Sequence, residues 1–192
     1  MKTRLMCYHM GSIYFFPVLI FVLALGIAQP IVAAEEIRDP IEYFFHQGFG
    51  DLPDELATAK EEGKIGLFVM FGNDECPWCA KMKAGVFNQV RVQDYYRKYF
   101  RILEIDTEGD TAVIDFDGKE MAQKDFAFKY NRVRATPVFI FYDLDGKKLT
   151  RYTGATRDVD EFMWLGQYVV QGHYKNKRFT VYKREQQAKT RK

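Results

Sequence analysis

The fold is decided by one stretch of the sequence, residues 65–79, which reads IGLFVMFGNDECPWC. Its first half, from Ile65 to Gly72, is a continuous apolar run of strand length, which is typical of a central strand buried on both faces. A short polar loop follows, and then two cysteines separated by two residues, Cys76 and Cys79. The stretch therefore predicts a buried strand that leads directly into a pair of thiols.

The proline between the two cysteines indicates that a helix begins there. Pro77 suits the first helical position, where its missing N–H costs nothing, and it keeps Cys76 out of the α region, as an N-cap requires. Unpaired N–H groups at the helix start favour a thiolate at Cys76, while Cys79 is expected about one turn further in and more buried. In this arrangement Cys76 attacks a disulfide and Cys79 resolves the mixed disulfide.

Other uses of the pair stay open beside redox exchange. A structural disulfide is one, although closing so short a loop adds less entropic stabilisation than a long one. A metal site is another, but zinc needs about four ligands, and beyond the N-terminal leader only His46 and His173 could join Cys76 and Cys79. A c-type haem needs histidine where this chain has Ala80. We predict no metal and no cofactor other than a redox-active disulfide.

The leader, residues 1–34, has the features of an export signal. Lys2 and Arg4 make a short basic start, an apolar run follows from 13 to 28, and small residues end the segment. This pattern is typical of a signal peptide cleaved after Ala34. The alternative is an uncleaved membrane anchor, because the apolar segment is just long enough to span a bilayer. Either way we expect the rest of the chain to be periplasmic or otherwise exported.

Charge and cysteine content narrow the class of protein. The chain has 28 basic and 26 acidic residues, and removing Lys2 and Arg4 with the leader leaves 26 of each. This balance argues against nucleic-acid binding. Of the three cysteines, Cys7 lies in the leader, so the exported part keeps only Cys76 and Cys79. Because stray thiols are a liability in an oxidising compartment, two closely spaced cysteines indicate one redox pair rather than a stapled scaffold.

Helices and strands are predicted to alternate along the rest of the chain, which gives an α/β sandwich with a mixed sheet. We expect one domain over 35–171 and a basic tail over 172–192, solvated or, alternatively, in contact with anionic lipid or a partner. The predicted helices cover 51–62, a segment from Cys76 onward, 89–99, 119–130 and 157–170. The predicted strands cover 65–72, 100–106, 113–116, 138–142 and 148–152.

Two motifs together resemble the thioredoxin superfamily. One is the strand–loop–CPWC–helix unit; the other is RATPV at 134–138, directly before a late strand, where thioredoxin-like proteins place a cis-proline beside the cysteine pair. The run ATPVFIFYDLDGK at 135–147, with RYTG at 151–154, is similar to exported SoxW-type thioredoxin-related proteins. The resemblance covers roughly residues 51–171. It implies a thioredoxin fold, a three-layer sandwich with a mixed sheet flanked by helices.

The resemblance also implies roles for residues around the cysteines. Pro137 is expected to be cis and to pack against Cys76. The backbone of Thr136 is expected to pair with an extended segment of the substrate, as in a short β-augmentation. Trp78 is expected to be an exposed apolar contact for partners, with packing against the fold's own loops as the alternative. Pro77 supports the motif.

One position departs from the family. Many thioredoxins carry a buried aspartate on the central strand six residues before the first cysteine, where this chain has Met70. An internal proton acceptor for Cys79 is therefore missing there, and water or a partner's group is expected to serve instead. Glu75 opposes a neighbouring thiolate, whereas Lys81 and Lys83 favour it if they turn inward.

By resemblance, the expected function is reduction of disulfides in periplasmic proteins, with the pair re-reduced through a membrane electron donor. Disulfide donation or isomerisation is the alternative direction of the same chemistry. Two other functions stay open: a thioredoxin-fold binding module with a static disulfide, and a metal chaperone.

Overall fold

The structure, a computed structural model, describes residues 36–48 and 50–190, and the predicted leader lies outside them. The strands are β1 (Gly66–Gly72), β2 (Phe100–Asp106), β3 (Ala112–Ile114), β4 (Glu120–Ala122), β5 (Val138–Tyr142) and β6 (Lys148–Thr153). The α-helices are α1 (Pro40–Tyr43), α2 (Leu52–Glu61), α3 (Pro77–Met82), α4 (Val90–Tyr99), α5 (Gln123–Asp125), α6 (Val159–Val170) and α7 (Phe179–Thr190). The turns Lys83–Phe87 and Phe126–Tyr130 are π-helical, and His173–Lys175 is a 3₁₀ turn.

Four of these strands form one mixed sheet in the order β2-β1-β5-β6. β1 is parallel to β2 and antiparallel to β5, and β6 is antiparallel to β5. Every residue of β1 is buried, as its continuous apolar run predicted. β3 and β4 pair separately as a two-stranded ribbon. The predicted mixed sheet with β1 in an interior position is confirmed.

The two faces of the sheet belong to two hydrophobic clusters. Phe68 and Met70 of β1 face the cluster that contains α3, α4 and α6. Leu67, Val69 and Phe71 face the other cluster, to which α2 contributes. Side chains alternate between the faces of a strand, so an all-apolar strand requires helices on both sides. The predicted three-layer sandwich is therefore confirmed.

The segment predicted as one helix at 119–130 is divided between two structures. Glu120–Ala122 is strand β4, in which Met121 lies opposite Val113 of β3. Only residues from Gln123 onward are helical. The helical prediction was wrong over residues 119–122, because pairing of Glu120–Ala122 with β3, a tertiary contact, overrides local propensity.

The C-terminal segment is a packed helix, not the solvated tail expected from its charge. Tyr182 of α7 is 3% exposed, and its ring centroid lies 5.6 Å from that of Tyr168 on α6. Lys183 Nζ lies 2.9 Å from Oε1 of Glu161, also on α6. Phe179 and Tyr182, three residues apart, form the apolar side of this helix. The prediction of a solvated tail considered its charge and overlooked this spacing.

Crossing a bilayer needs a long apolar helix, and none of the helices within 36–48 and 50–190 combines that length with that hydrophobicity.

Candidate active site

Cys76 and Cys79 form a disulfide at the start of α3, with their Cα atoms 5.2 Å apart. Cys76 is the N-cap of the helix, in extended conformation, and Pro77 occupies the first helical turn. The Cys79 N–H donates to Cys76 Sγ at 3.1 Å. The predicted N-cap is therefore present, and a backbone donor points at the sulfur that is expected to react.

Both sulfurs lie against the end of β1. Cys79 is 2% exposed and Cys76 6% exposed, so the expected order of burial is observed, although Cys76 is more covered than a freely exposed nucleophile. A Cβ at Gly72 would lie 3.1 Å from Cys79 Sγ and 3.1 Å from Cε of Met70. Glycine at position 72 thus allows the buried cysteine to contact the strand, and Met70 contributes an apolar group at that point.

The loop before β5 comes to the same place because of the strand register. Val138 pairs with Phe71, which places Pro137 and Thr136 beside the end of β1. The Thr136–Pro137 peptide is cis, as expected from the resemblance. Pro137 is buried, and its carbonyl accepts the Gly154 N–H at 2.8 Å.

Thr136 itself presents open backbone. It is half-buried, and its N–H and C=O form no hydrogen bond with any residue that the structure describes. Unpaired backbone groups at the surface are the template on which an extended peptide adds as a strand. Thr136 therefore has the geometry that the predicted substrate pairing requires.

Two clefts meet at Thr136; Trp78, between the two cysteines in sequence, lines one of them, and Asn73, directly after β1, lines the other. We call them the tryptophan cleft, of about 490 Å³, and the phenylalanine cleft, of about 300 Å³. The tryptophan cleft is lined by Trp78, Lys81, Thr136, Gly154, Ala155, Thr156 and Arg157. The phenylalanine cleft is lined by Asn73, Thr107, Glu108, Ala127, Phe128, Val133, Arg134, Ala135 and Thr136.

Each cleft carries an exposed aromatic ring with a cation against it. Trp78 is 55% exposed, with Lys81 Nζ 5.1 Å from its ring centroid. Phe128 is 53% exposed, with the guanidinium of Arg134 3.4 Å from its centroid. Trp78 was predicted as a contact residue, whereas Phe128 was missed, because nothing in the sequence places its short helical turn in a cleft with Thr136.

The lysines after the motif do not turn toward the sulfurs. Lys81 lies over Trp78, and Lys83 Nζ forms an ion pair with Glu104 Oε1 at 2.8 Å. Glu104 is the register partner of Met70 on β2. The position that holds an acid in many thioredoxins is thus apolar here, and the carboxylate on the neighbouring strand is neutralised by Lys83.

Other places in the fold are less suited to chemistry. A larger cavity of about 670 Å³ lies between the entry segment at 37–41 and the side of α3 that bears Ala80, and neither Trp78 nor Thr136 lines it. Across the described part of the chain, no three His, Cys, Asp or Glu side chains gather as a metal site would require.

Comparison with known proteins agrees with this geometry. The model of the thioredoxin-like domain family matches residues 52–170. A thioredoxin-fold protein from Helicobacter pylori is similar over 80% of this chain and 92% of its own, at 17% identity and a TM-score of 0.57. This similarity supports the thioredoxin fold.

Two further solved structures are similar at lower TM-scores. A putative disulphide-isomerase from Bacteroides thetaiotaomicron is 25% identical over 66% of this chain and 95% of its own, with a TM-score of 0.48. A thioredoxin from Thermus thermophilus is 24% identical over 62% and 82%, also with a TM-score of 0.48. No curated protein sequence matches the chain significantly.

Proposed function

The chain belongs to the thioredoxin-like domain family, and from this premise we propose that it is an exported thiol–disulfide oxidoreductase that acts through Cys76 and Cys79. One observation carries the proposal: the β1–β5 register brings the open backbone of Thr136 to the end of β1 that leads into the N-capping Cys76. A nucleophile and a docking edge for the segment that it attacks are thereby combined in one place.

The reduced pair acts in two exchange steps. The Cys76 thiolate attacks one sulfur of a substrate disulfide, and the bond between the two substrate sulfurs breaks as the leaving thiolate takes up a proton. Cys79, deprotonated, then attacks Cys76 Sγ and expels the second substrate thiolate. The substrate gains two electrons and two protons, and the pair ends as the disulfide. A dithiol donor must return those electrons before the next cycle.

Local groups determine how readily each cysteine ionises. The N–H of Cys79 that donates to Cys76 Sγ stabilises a thiolate at Cys76, as does the positive end of the helix. Burial of Cys79 in the cluster that contains Met70 disfavours its thiolate, because an apolar environment disfavours the charged form. No carboxylate occupies the position of Met70 to accept the proton. The proton of Cys79 therefore passes to water or to a group of the substrate during the second step.

The direction of transfer is proposed to be reductive. The similarity of 135–147 and 151–154 to SoxW-type proteins favours a reductant of periplasmic protein disulfides that receives electrons from a membrane donor. The leader at 1–34 supports export. Disulfide donation or isomerisation uses the same residues with a different redox potential.

Trapping of the mixed disulfide tests the proposal. Cys79→Ser removes the resolving thiol, so we expect it to accumulate a covalent adduct with a disulfide-containing protein such as insulin, detected by non-reducing electrophoresis and mass spectrometry. Cys76→Ser is the matched control and should form none. Equal trapping by both variants, or by neither, contradicts the assigned roles.

A second candidate function is a binding module with a static disulfide. The small exposure of Cys76 favours it, because a covered sulfur is reached slowly. The module predicts a disulfide that resists mild dithiothreitol under native conditions, whereas the proposed enzyme predicts rapid and reversible reduction.

A further inference from the structure

We propose that the tryptophan cleft selects substrates by charge: the segment that reaches Cys76 carries an acidic side chain beside its cysteine, held by Lys81 and Arg157. This inference rests on the proposed function and adds to it the chemistry of the preferred partner. The sequence alone did not predict this role for Lys81 or Arg157. Arg157 lies far from the cysteine motif along the chain, so only the structure shows that the two residues line one cleft.

The position of Thr136 brings a substrate to both clefts. An extended segment that pairs with the open backbone of Thr136 places its cysteine at Cys76. Residues on either side of that cysteine then lie over the tryptophan cleft or the phenylalanine cleft, since Thr136 borders both. The charges of the two clefts therefore act on the residues that flank the reacting sulfur.

The charged residues that line the tryptophan cleft are both cations, Lys81 and Arg157. No acidic residue lines it. Lys81 forms no ion pair with any described carboxylate, and it lies over the exposed ring of Trp78. Arg157 is paired with Asp158 through Nε only, at 2.7 Å, which leaves its terminal nitrogens open. Both cations can therefore donate to a carboxylate that enters the cleft.

The phenylalanine cleft is electrically mixed. Glu108 accepts a hydrogen bond from the Asn73 side chain at 2.8 Å. Arg134 donates to the Phe128 carbonyl at 2.8 Å and lies on the Phe128 ring. Because Glu108 and Arg134 carry opposite charges, this cleft is expected to favour neither acidic nor basic substrate side chains. The selection for acidic side chains is therefore assigned to the tryptophan cleft alone.

The effect is expected to be moderate and sensitive to salt. Exposed ion pairs contribute little individually, so each contact is expected to change the rate about threefold. Ionic strength near 1 M shortens the screening length to roughly 3 Å and should remove most of the difference.

Three matched peptides test the inference. They are blocked at both ends and identical except that the residues two positions before and after a single cysteine are Glu, Gln or Lys; each is activated as a 2-thiopyridyl disulfide. The Cys76 thiolate of the full-length Cys79→Ser variant attacks the peptide sulfur and releases 2-thiopyridone, whose absorbance gives the rate constant. We expect the Glu peptide to react about tenfold faster than the Lys peptide at low salt, with the Gln peptide between them.

Variants assign the selection to the cleft. Lys81→Gln and Arg157→Gln, each added to Cys79→Ser, should lower the Glu-to-Lys rate ratio about threefold. Lys60→Gln is the matched control: Lys60 is exposed on α2, at the opposite face of the sheet, and its loss should leave the ratio unchanged. Ratios are compared because they cancel any effect of a variant on thiolate formation.

The outcomes separate the two proposals. Equal rates for the three peptides at low salt, or a ratio that neither cleft variant changes, would overturn charge selection while leaving the exchange chemistry intact. If no peptide reacts although the unfolded variant does, Cys76 is inaccessible in the native protein. The proposed function then fails, and charge selection fails with it.

Discussion

Polar groups are arranged differently in two regions of the molecule. At the start of α6, Glu161 is 3% exposed and accepts hydrogen bonds from Tyr152 Oη at 3.0 Å and Lys183 Nζ at 2.9 Å, with the Arg157 N–H at 3.4 Å. At the disulfide, Thr136 keeps its backbone groups unpaired within the described residues. A buried polar group left without partners is costly, so the paired region has a structural role and the open one is available to a partner.

We therefore expect the region around the disulfide to determine disulfide exchange and the region around Glu161 to determine stability. Changes at Cys76 or Trp78 should alter disulfide exchange while the fold persists. Changes around Glu161 should lower the free energy of unfolding while the chemistry of Cys76 persists. The two regions are adjacent, because Arg157 donates its N–H to Glu161 and its side chain lines the tryptophan cleft. Substitutions can therefore test whether effects on stability and effects on disulfide exchange are separate.

The largest effect is expected from Cys76→Ser. Loss of the attacking thiolate should lower insulin reduction on the order of a thousandfold or more, whereas its thermal unfolding midpoint should stay close to that of the reduced wild-type protein. Turbidity of insulin under dithiothreitol gives the first quantity and calorimetry the second. Substantial residual activity in this variant would remove Cys76 from the mechanism.

Lys183→Met tests the paired region. It leaves the buried Glu161 carboxylate without its cation, so we expect the free energy of unfolding to fall by about 3 kcal/mol. Urea denaturation of the reduced protein measures the change. Arg184→Met, at the exposed neighbouring position of α7, is the matched control and should stay within about 0.5 kcal/mol of wild type. Similar stability of the two variants would mean that α7 does not support Glu161.

His46, which is hydrogen-bonded to β2, gives the stability of the fold a pH dependence. Burial, with Arg97 adding to it, lowers the pKa of His46 from 6.5 to about 4, and Nδ1 of His46 accepts the Ile102 N–H at 3.0 Å. The unfolded chain takes up a proton below pH 6.5 while the folded chain resists it. Stability is therefore complete above pH 6.5 and falls as the pH approaches 4.

The size of this effect is expected to be roughly 1–2 kcal/mol, because the ring is partly solvated. Chemical denaturation at several pH values should show a shallower loss between pH 6.5 and 4 in His46→Asn, whose amide oxygen can still accept the Ile102 N–H. Parallel curves for the variant and wild type would assign the loss to other groups.

The smallest effect is expected in the tryptophan cleft, from loss of the exposed Trp78 ring. Trp78→Ala should raise KM for protein disulfides about fivefold, equivalent to roughly 1 kcal/mol of binding, and leave the rate with a small disulfide unchanged. Val181→Ala, also at an exposed apolar position, should change neither. An unchanged KM would indicate that partners do not contact the ring.

The parts that sequence predicted are those governed by local rules. Pro77 restricts the residue before it, so the N-cap at Cys76 follows from two adjacent residues. The apolar run of β1 specifies burial on both faces without knowledge of its neighbours. Cis geometry at Pro137 came instead from the resemblance to a family.

The parts that were missed depend on contacts between distant segments. Burial of Tyr182 requires α6 as a partner, and the ion pair of Lys83 depends on the register that places Glu104 on the helix-facing side of β2. The phenylalanine cleft likewise forms only when the turn bearing Phe128 comes beside Thr136. Charge counts and periodicity carry no information about such pairings.

The most direct test of the account is the reduction potential of the Cys76–Cys79 pair, measured by titration with dithiothreitol or glutathione, with Cys76→Ser as the control. We expect a reversible two-electron transition near the thioredoxin value of about −270 mV. A transition near −120 mV, typical of strong oxidants, would contradict the reductive direction. The absence of any reversible transition would contradict the central claim that this disulfide is redox-active.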